Sequence, residues 1–122
     1  MVVAVWIVSV VLALAYLFAG GLKLVRPRET LPALGMAWTE DFSDGAVKAI
    51  GAAEVLGATA LIVPLATGFA PILTPIAAVA LAVLMAGAIV THVRRREHFV
   101  PPLVLGIISI GSAILGFLVV LG

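Results

Sequence analysis

Three stretches of this chain carry no Asp, Glu, Lys or Arg: residues 1–22, 55–93 and 99–122. Nothing constrains the fold more. A helix needs about 20 predominantly apolar residues to cross a hydrocarbon core of about 30 Å. The first run supplies one span, roughly 2–24, and the last supplies another, roughly 100–121. The middle run is too long for one crossing. Pro64, Thr67-Gly68, Pro71 and Pro75 interrupt it with turn and helix-start residues. Extended backwards past Glu54, it gives a second span near 46–65 and a third near 71–92, the latter tolerating Pro75 in its first turns. The expected fold class is therefore all-α. One domain over 1–122 forms an integral membrane four-helix antiparallel bundle, with spans two and three as a hairpin and a short interfacial segment between helices 1 and 2.

Composition agrees and excludes the alternatives. Of 122 residues, 64% are apolar and 11% charged, against roughly 45–50% and about 25% in soluble domains. A soluble fold of this size cannot hide that much apolar surface, and disorder requires the opposite balance. A net charge of +1 gives no electrostatic basis for nucleic acid as a partner. With no cysteine, the chain has no thiol chemistry of its own. The first run lacks the basic n-region of a secretory signal and is long enough to span, so it is read as an uncleaved helix. All seven Lys and Arg residues flank the first and third connections, which lie on one side of a four-span bundle. The positive-inside rule puts that side in the cytoplasm and both termini outside.

Residues 25–45 are the one long connection, mixing Leu31, Leu34, Met36 and Trp38 with Glu29, Glu40, Asp41 and Asp44. Two readings are open: a short helix lying in the interface with Trp38 as its anchor, or an irregular loop. Ser43 or Asp44 is placed to cap the second span. Lipid gives helices no hydrophobic reason to associate, so close packing needs small residues. Ala49, Ala53 and Gly57 on span two and Ala78, Ala82 and Ala86 on span three are expected to face other helices, with Ser109/Ala113 and Ser112/Gly116 offering the same spacing on span four.

Few residues can carry chemistry. Glu54 sits some eight residues into its span, about 12 Å at about 1.5 Å per residue. A carboxylate at that depth is costly and usually faces the bundle interior. It serves either as inter-helix glue or as part of a binding site. Lys23 closes span one and His92 closes span three, at the same end of the bundle. Each reads as an interfacial residue, Lys23 snorkelling to the headgroups, or as a partner of Glu54 in one polar pocket. Arg26, Arg28, Arg94, Arg95 and Arg96 set topology and touch anionic headgroups. Metal ligation is not expected, because His92, Glu97 and His98 do not fall at zinc-site spacing. There is no phosphate loop and no serine beside a base.

Taken in order, Phe18-Ala19-Gly20-Gly21-Leu22-Lys23-Leu24 with Pro27, Gly51-Ala52-Ala53-Glu54-Val55-Leu56-Gly57 with Pro64, then Pro71, Pro75, Leu84-Met85-Ala86-Gly87-Ala88 and Thr91-His92-Val93-Arg94 form a distinctive series. With it the chain resembles the DoxX-like family of small four-helix bacterial membrane proteins over nearly its whole length. The resemblance implies the fold and a bacterial inner-membrane location. The name-giving member is the small subunit of a thiosulfate:quinone oxidoreductase, so the resemblance also implies a quinone-linked or accessory role but no activity of the chain's own. Three functions are carried forward. The first is an accessory or anchoring subunit whose partners are the bilayer and other membrane subunits or copies of itself. The second is a protein that binds quinone or lipid, with no resident cofactor. The third is a small transporter, for which four spans are few.

Overall fold

The computed structural model describes Met1–Gly122 as four long helices: α1 Val2–Val25, α2 Asp44–Thr67, α3 Leu73–Arg94 and α4 Val100–Leu121. All four are long and apolar enough to span a membrane. They pack as an up-down-up-down ring, each helix on its chain neighbours and α4 closing against α1. The expected spans hold to within two residues at every end. The differences have local causes. The Ser43 hydroxyl accepts from the Ala46 N–H at 3.1 Å, which lets α2 begin at Asp44. At its other end α2 runs to Thr67, where Gly68 closes the helix in the left-handed region, at φ 72°. Pro71 lies in the turn before α3, its carbonyl accepting from the Thr74 N–H at 3.1 Å, so regular helix starts at Leu73.

Pro64 lies inside α2, and its missing N–H leaves the carbonyl one turn earlier without a partner. In lipid such a carbonyl is costly unless a neighbour answers it. Thr74 of α3 does so: its hydroxyl donates to the Ala60 carbonyl at 3.2 Å, with the Leu61 carbonyl at 3.4 Å. The α2–α3 hairpin is thus joined by a hydrogen bond that the proline created the need for.

Helices α1 and α2 approach most closely at Gly20 and Gly51. A Cβ on Gly20 would lie 2.8 Å from the Gly51 carbonyl oxygen, and one on Gly51 would lie 2.9 Å from that of Gly20. This crossing fixes the rotation of α2, whose inward face is Val47, Gly51, Glu54, Ala58 and Leu61. The expected stripe on α2 is corrected accordingly. Ala49 and Ala53 are exposed, and only Gly57 meets a neighbour, its Cβ position 2.7 Å from Leu81. At about 3.6 residues per turn, one position around the helix is about 100°, enough to turn Ala53 outward once Glu54 points in. On α3, Ala78 is buried, Ala82 half-buried and Ala86 exposed, so that stripe also fails toward the basic end of the helix. On α4, Ser109, Ser112, Ala113 and Gly116 all face inward as expected. Large aliphatic and aromatic side chains such as Ile7, Phe18, Leu56, Val83 and Ile110 point away from the bundle, as lipid contact requires.

The connection between α1 and α2 is neither a single interfacial helix nor an irregular loop. It folds into three short 3-10 turns, Arg28–Thr30, Pro32–Leu34 and Ala37–Asp41. Leu31 is wholly buried, which pins the segment onto the end of the bundle.

Candidate functional site

At the end carrying all the basic residues, the ring of helices does not close. A cavity of about 320 Å³ lies between all four helices and the last 3-10 turn. Its walls are mostly apolar, with Ile50, Leu84, Met85, Ala88, Pro102 and Leu105 among them. Lys23, Glu54 and His92 all line it, so the three residues singled out in the sequence come together.

Lys23 and Glu54 are the centre of the site. Both are buried, at 5% and 2% exposure, and the Lys23 Nζ donates to Glu54 Oε1 at 2.5 Å. Lys23 therefore does not snorkel. Its Cβ lies against Gly51, where a Cβ would sit 2.8 Å away. Glu54 is three residues further along α2, about 4.5 Å at about 1.5 Å per residue, so the lysine bends inward to reach it. Either charge alone would be costly at this depth, and each answers the other. The ammonium also lies 5.6 Å from the centre of the Trp38 ring, within cation–π range. Trp38, expected as a headgroup anchor, is half-buried and lines the cavity instead. Phe42 packs edge-on against it, with ring centroids 5.4 Å apart.

Arg95 secures this aromatic cover. Its Nη1 lies 2.6 Å from Asp41 and its Nη2 3.3 Å from Glu40, both on the turn that carries Trp38, while its Nε is 3.1 Å from Glu97. The carboxylates of Asp41 first, then of Glu97, push the guanidinium's pKa above the ordinary arginine value. Arg95 was expected at the lipid headgroups, and these contacts give it a structural job. Arg28 is likewise paired, with Asp44 at 2.9 Å. Arg26, Arg94 and Arg96 are exposed and enter no ion pair. His92 lies with Nδ1 3.4 Å from Glu97, but that nitrogen makes no hydrogen bond.

Two further features were not singled out in the sequence. The Lys48 ammonium donates to the carbonyls of Lys23, Leu24 and Arg26 at 2.8, 2.9 and 3.0 Å, capping the end of α1 from α2. Deeper in the bundle, Tyr16 and Ser109 hydrogen-bond across α1 and α4 at 2.8 Å. Ser109 spends its own proton on the Leu105 carbonyl at 2.7 Å, so Tyr16 is the donor. A legible signal existed: Ser9, Tyr16 and Lys23 recur every seven residues, one polar stripe down the buried face of α1.

The arrangement can bind but shows no nucleophile with an adjacent base. No curated protein and no solved structure is significantly similar to the chain. Family comparison matches residues 7–112 of the 122 to the DoxX-like family. With that match running from α1 well into α4, and so through every helix that lines the cavity, the chain belongs to the DoxX-like family of small integral membrane proteins.

Proposed function

We propose that this protein binds a lipid-soluble ring compound of the quinone class in the cavity at its basic end. One observation carries the reading: an apolar cavity of about 320 Å³ whose wall holds a buried ion pair, Lys23–Glu54, under a tryptophan. Ligand sites are mostly apolar with a few fixed polar groups, and intramembrane charges mark function. Family membership supports the choice of class through the quinone-linked system that named it. Trp38 supplies the test. The chain has two tryptophans, so in a Trp6→Phe background, 1,4-naphthoquinone should quench Trp38 fluorescence saturably in nanodiscs. Quenching that rises linearly with quinone in the bilayer overturns the reading.

A second reading, an accessory subunit of a membrane complex, is favoured by a different observation. Ala49 and Ala53, at the spacing that lets helices approach closely, are exposed on α2 with nothing of this chain packed on them. A stoichiometric partner in mild-detergent extracts that is lost in Ala49→Leu/Ala53→Leu would establish it; a lone homogeneous species would sink it. We also place the chain in a bacterial inner membrane with its basic end in the cytoplasm, on the asymmetry of its Lys and Arg residues. The absence of cysteine makes that easy to check. A cysteine at Phe69 should react with impermeant maleimide outside intact cells, and one at Arg96 should not.

A further inference from the structure

The buried pair is unequal in what it leaves open. Lys23 offers three N–H donors and no acceptor. One goes to Glu54 Oε1 at 2.5 Å, one faces the Ala19 carbonyl at 3.5 Å, and the ammonium has the Trp38 ring on a further side. Glu54 offers two oxygens, and only Oε1 has a partner in the protein. Its Oε2 makes no hydrogen bond within the protein and is not sealed off by it, the residue being buried but lining the cavity. A carboxylate held against an ammonium accepts hydrogen bonds and cannot donate them. The vacancy left by the pair is therefore a place for a donor. Elsewhere on the wall, Thr91 spends its hydroxyl on the Gly87 carbonyl at 3.0 Å and does not compete for the ligand's polar group, whereas the His92 Nδ1 also stands unpaired.

We propose that the cavity selects ring compounds that present a hydroxyl, rather than a carbonyl, to Glu54 Oε2. The inference deepens the reading above and rests on it: within the quinone class the site takes the hydroxylated, reduced form in preference to the oxidised one. A carbonyl oxygen brought against Oε2 places two acceptors face to face with no proton between them. A hydroxyl placed there donates to the carboxylate in a water-poor site, where hydrogen bonds to charged groups are at their strongest. Sites built around a buried polar group discriminate sharply against ligands that leave it unpaired.

Matched naphthalenes test this on the full chain in nanodiscs, by calorimetry with empty discs subtracted. 1-Naphthol carries the donor, 1-methylnaphthalene has the same size without it, and 1,4-naphthoquinone carries only acceptors. In the wild type, naphthol should bind about tenfold or more tighter than either of the others, the scale set by an unpaired buried acceptor. Glu54→Gln keeps the shape but turns an N–H₂ toward the cavity once its carbonyl stays with Lys23. It should erase the naphthol preference and strengthen naphthoquinone binding. If all three bind the wild type equally, the donor preference is wrong while the binding reading stands. Binding of none overturns both. A naphthol preference that survives unchanged in a folded Glu54→Gln protein assigns the donor to some other acceptor and also overturns the inference. Should that variant fail to fold, the ranking of the three compounds on the wild type decides.

Discussion

The two ends of this bundle are built from the same kinds of helix and end differently. At the end bearing the Gly68 turn, the inward residues are small or rigid. Gly116 meets Pro75, with its Cβ position 3.0 Å from the proline's, and Thr74 is wholly buried answering the gap that Pro64 makes. No charged side chain enters this half. At the basic end the inward residues are long and charged, Lys23 and Glu54, and a loop with Trp38 covers a hollow. Small side chains let helices close until backbones touch. At the basic end α1 and α2 also close, at Gly20 and Gly51, and the hollow lies beyond the ion pair, toward α3, α4 and the aromatic cover. The bundle is closed where only the small Ser9 and Ser112 hydroxyls stand unpaired, and open where Glu54 and His92 face a hollow.

If the basic end depends on mutual neutralisation, removing one partner should do the most damage of any single change. Lys23→Met should destabilise the bundle by about 3–5 kcal/mol, as expected when a buried charge is stranded, read as a loss of thermal stability in detergent. Adding Glu54→Leu should restore most of that stability while abolishing the preference for naphthol over methylnaphthalene. A double variant as unstable as the single one would show that packing, not charge, sets the cost.

Next in size come the glycines. Gly51→Ala places a methyl 2.8 Å from the Lys23 Cβ and 2.9 Å from the Gly20 carbonyl oxygen. Overpacking of this kind costs about 1–3 kcal/mol, and here it should also weaken ligand binding, because the displaced element carries Lys23. Gly116→Ala at the closed end should cost a similar amount in thermal stability and leave binding unchanged. Equal effects on binding from both would erase the distinction between the ends.

A smaller loss is expected between the two. Tyr16→Phe removes a buried hydrogen bond to Ser109 and should cost about 0.6 kcal/mol, the mean found for such bonds in a membrane helical bundle. Its effect on binding should be slight. The smallest change in stability should come from Arg95→Ala, whose pairs are partly solvent-exposed. Its signature is kinetic: the Ala37–Asp41 turn should be cleaved faster by protease, and ligand should leave faster, with the melting point little moved.

The four spans were legible because lipid imposes one rule, length without charge, and the charge-free runs of this sequence obey it. Lys23, Glu54 and His92 were legible as a group for the same reason, since charged or titratable residues stand out against so apolar a background. What stayed hidden depended on rotation about helix axes. Ala49, Ala53 and Ala86 have the right spacing for contact, but spacing is shared by every face of an alanine-rich helix. The face was chosen by Gly20 meeting Gly51, a contact between elements that no periodicity within one helix reveals. The protein contacts of Trp38 and Arg95 were hidden because a loop's fold follows from what it rests on. No pattern in the sequence brings Arg95 to Asp41 and Glu40 or Trp38 to Lys23.

The Gly20–Gly51 contact and the Lys48 cap also bear on how such a chain is made. A ribosome delivers α1 before α2, and the insertion machinery must release a segment holding Glu54 into lipid. Alone, that segment is the least apolar of the four, with a mean hydropathy of 1.8 against 2.7 for α1. Beside α1 it meets a glycine seam to lie along, a cation for its carboxylate, and a lysine ready to grip the first helix's free carbonyls. The first two helices therefore have reason to leave the translocon together as a pair. A newly made chain in which they separate would show quality-control proteases an unpaired charge within the bilayer.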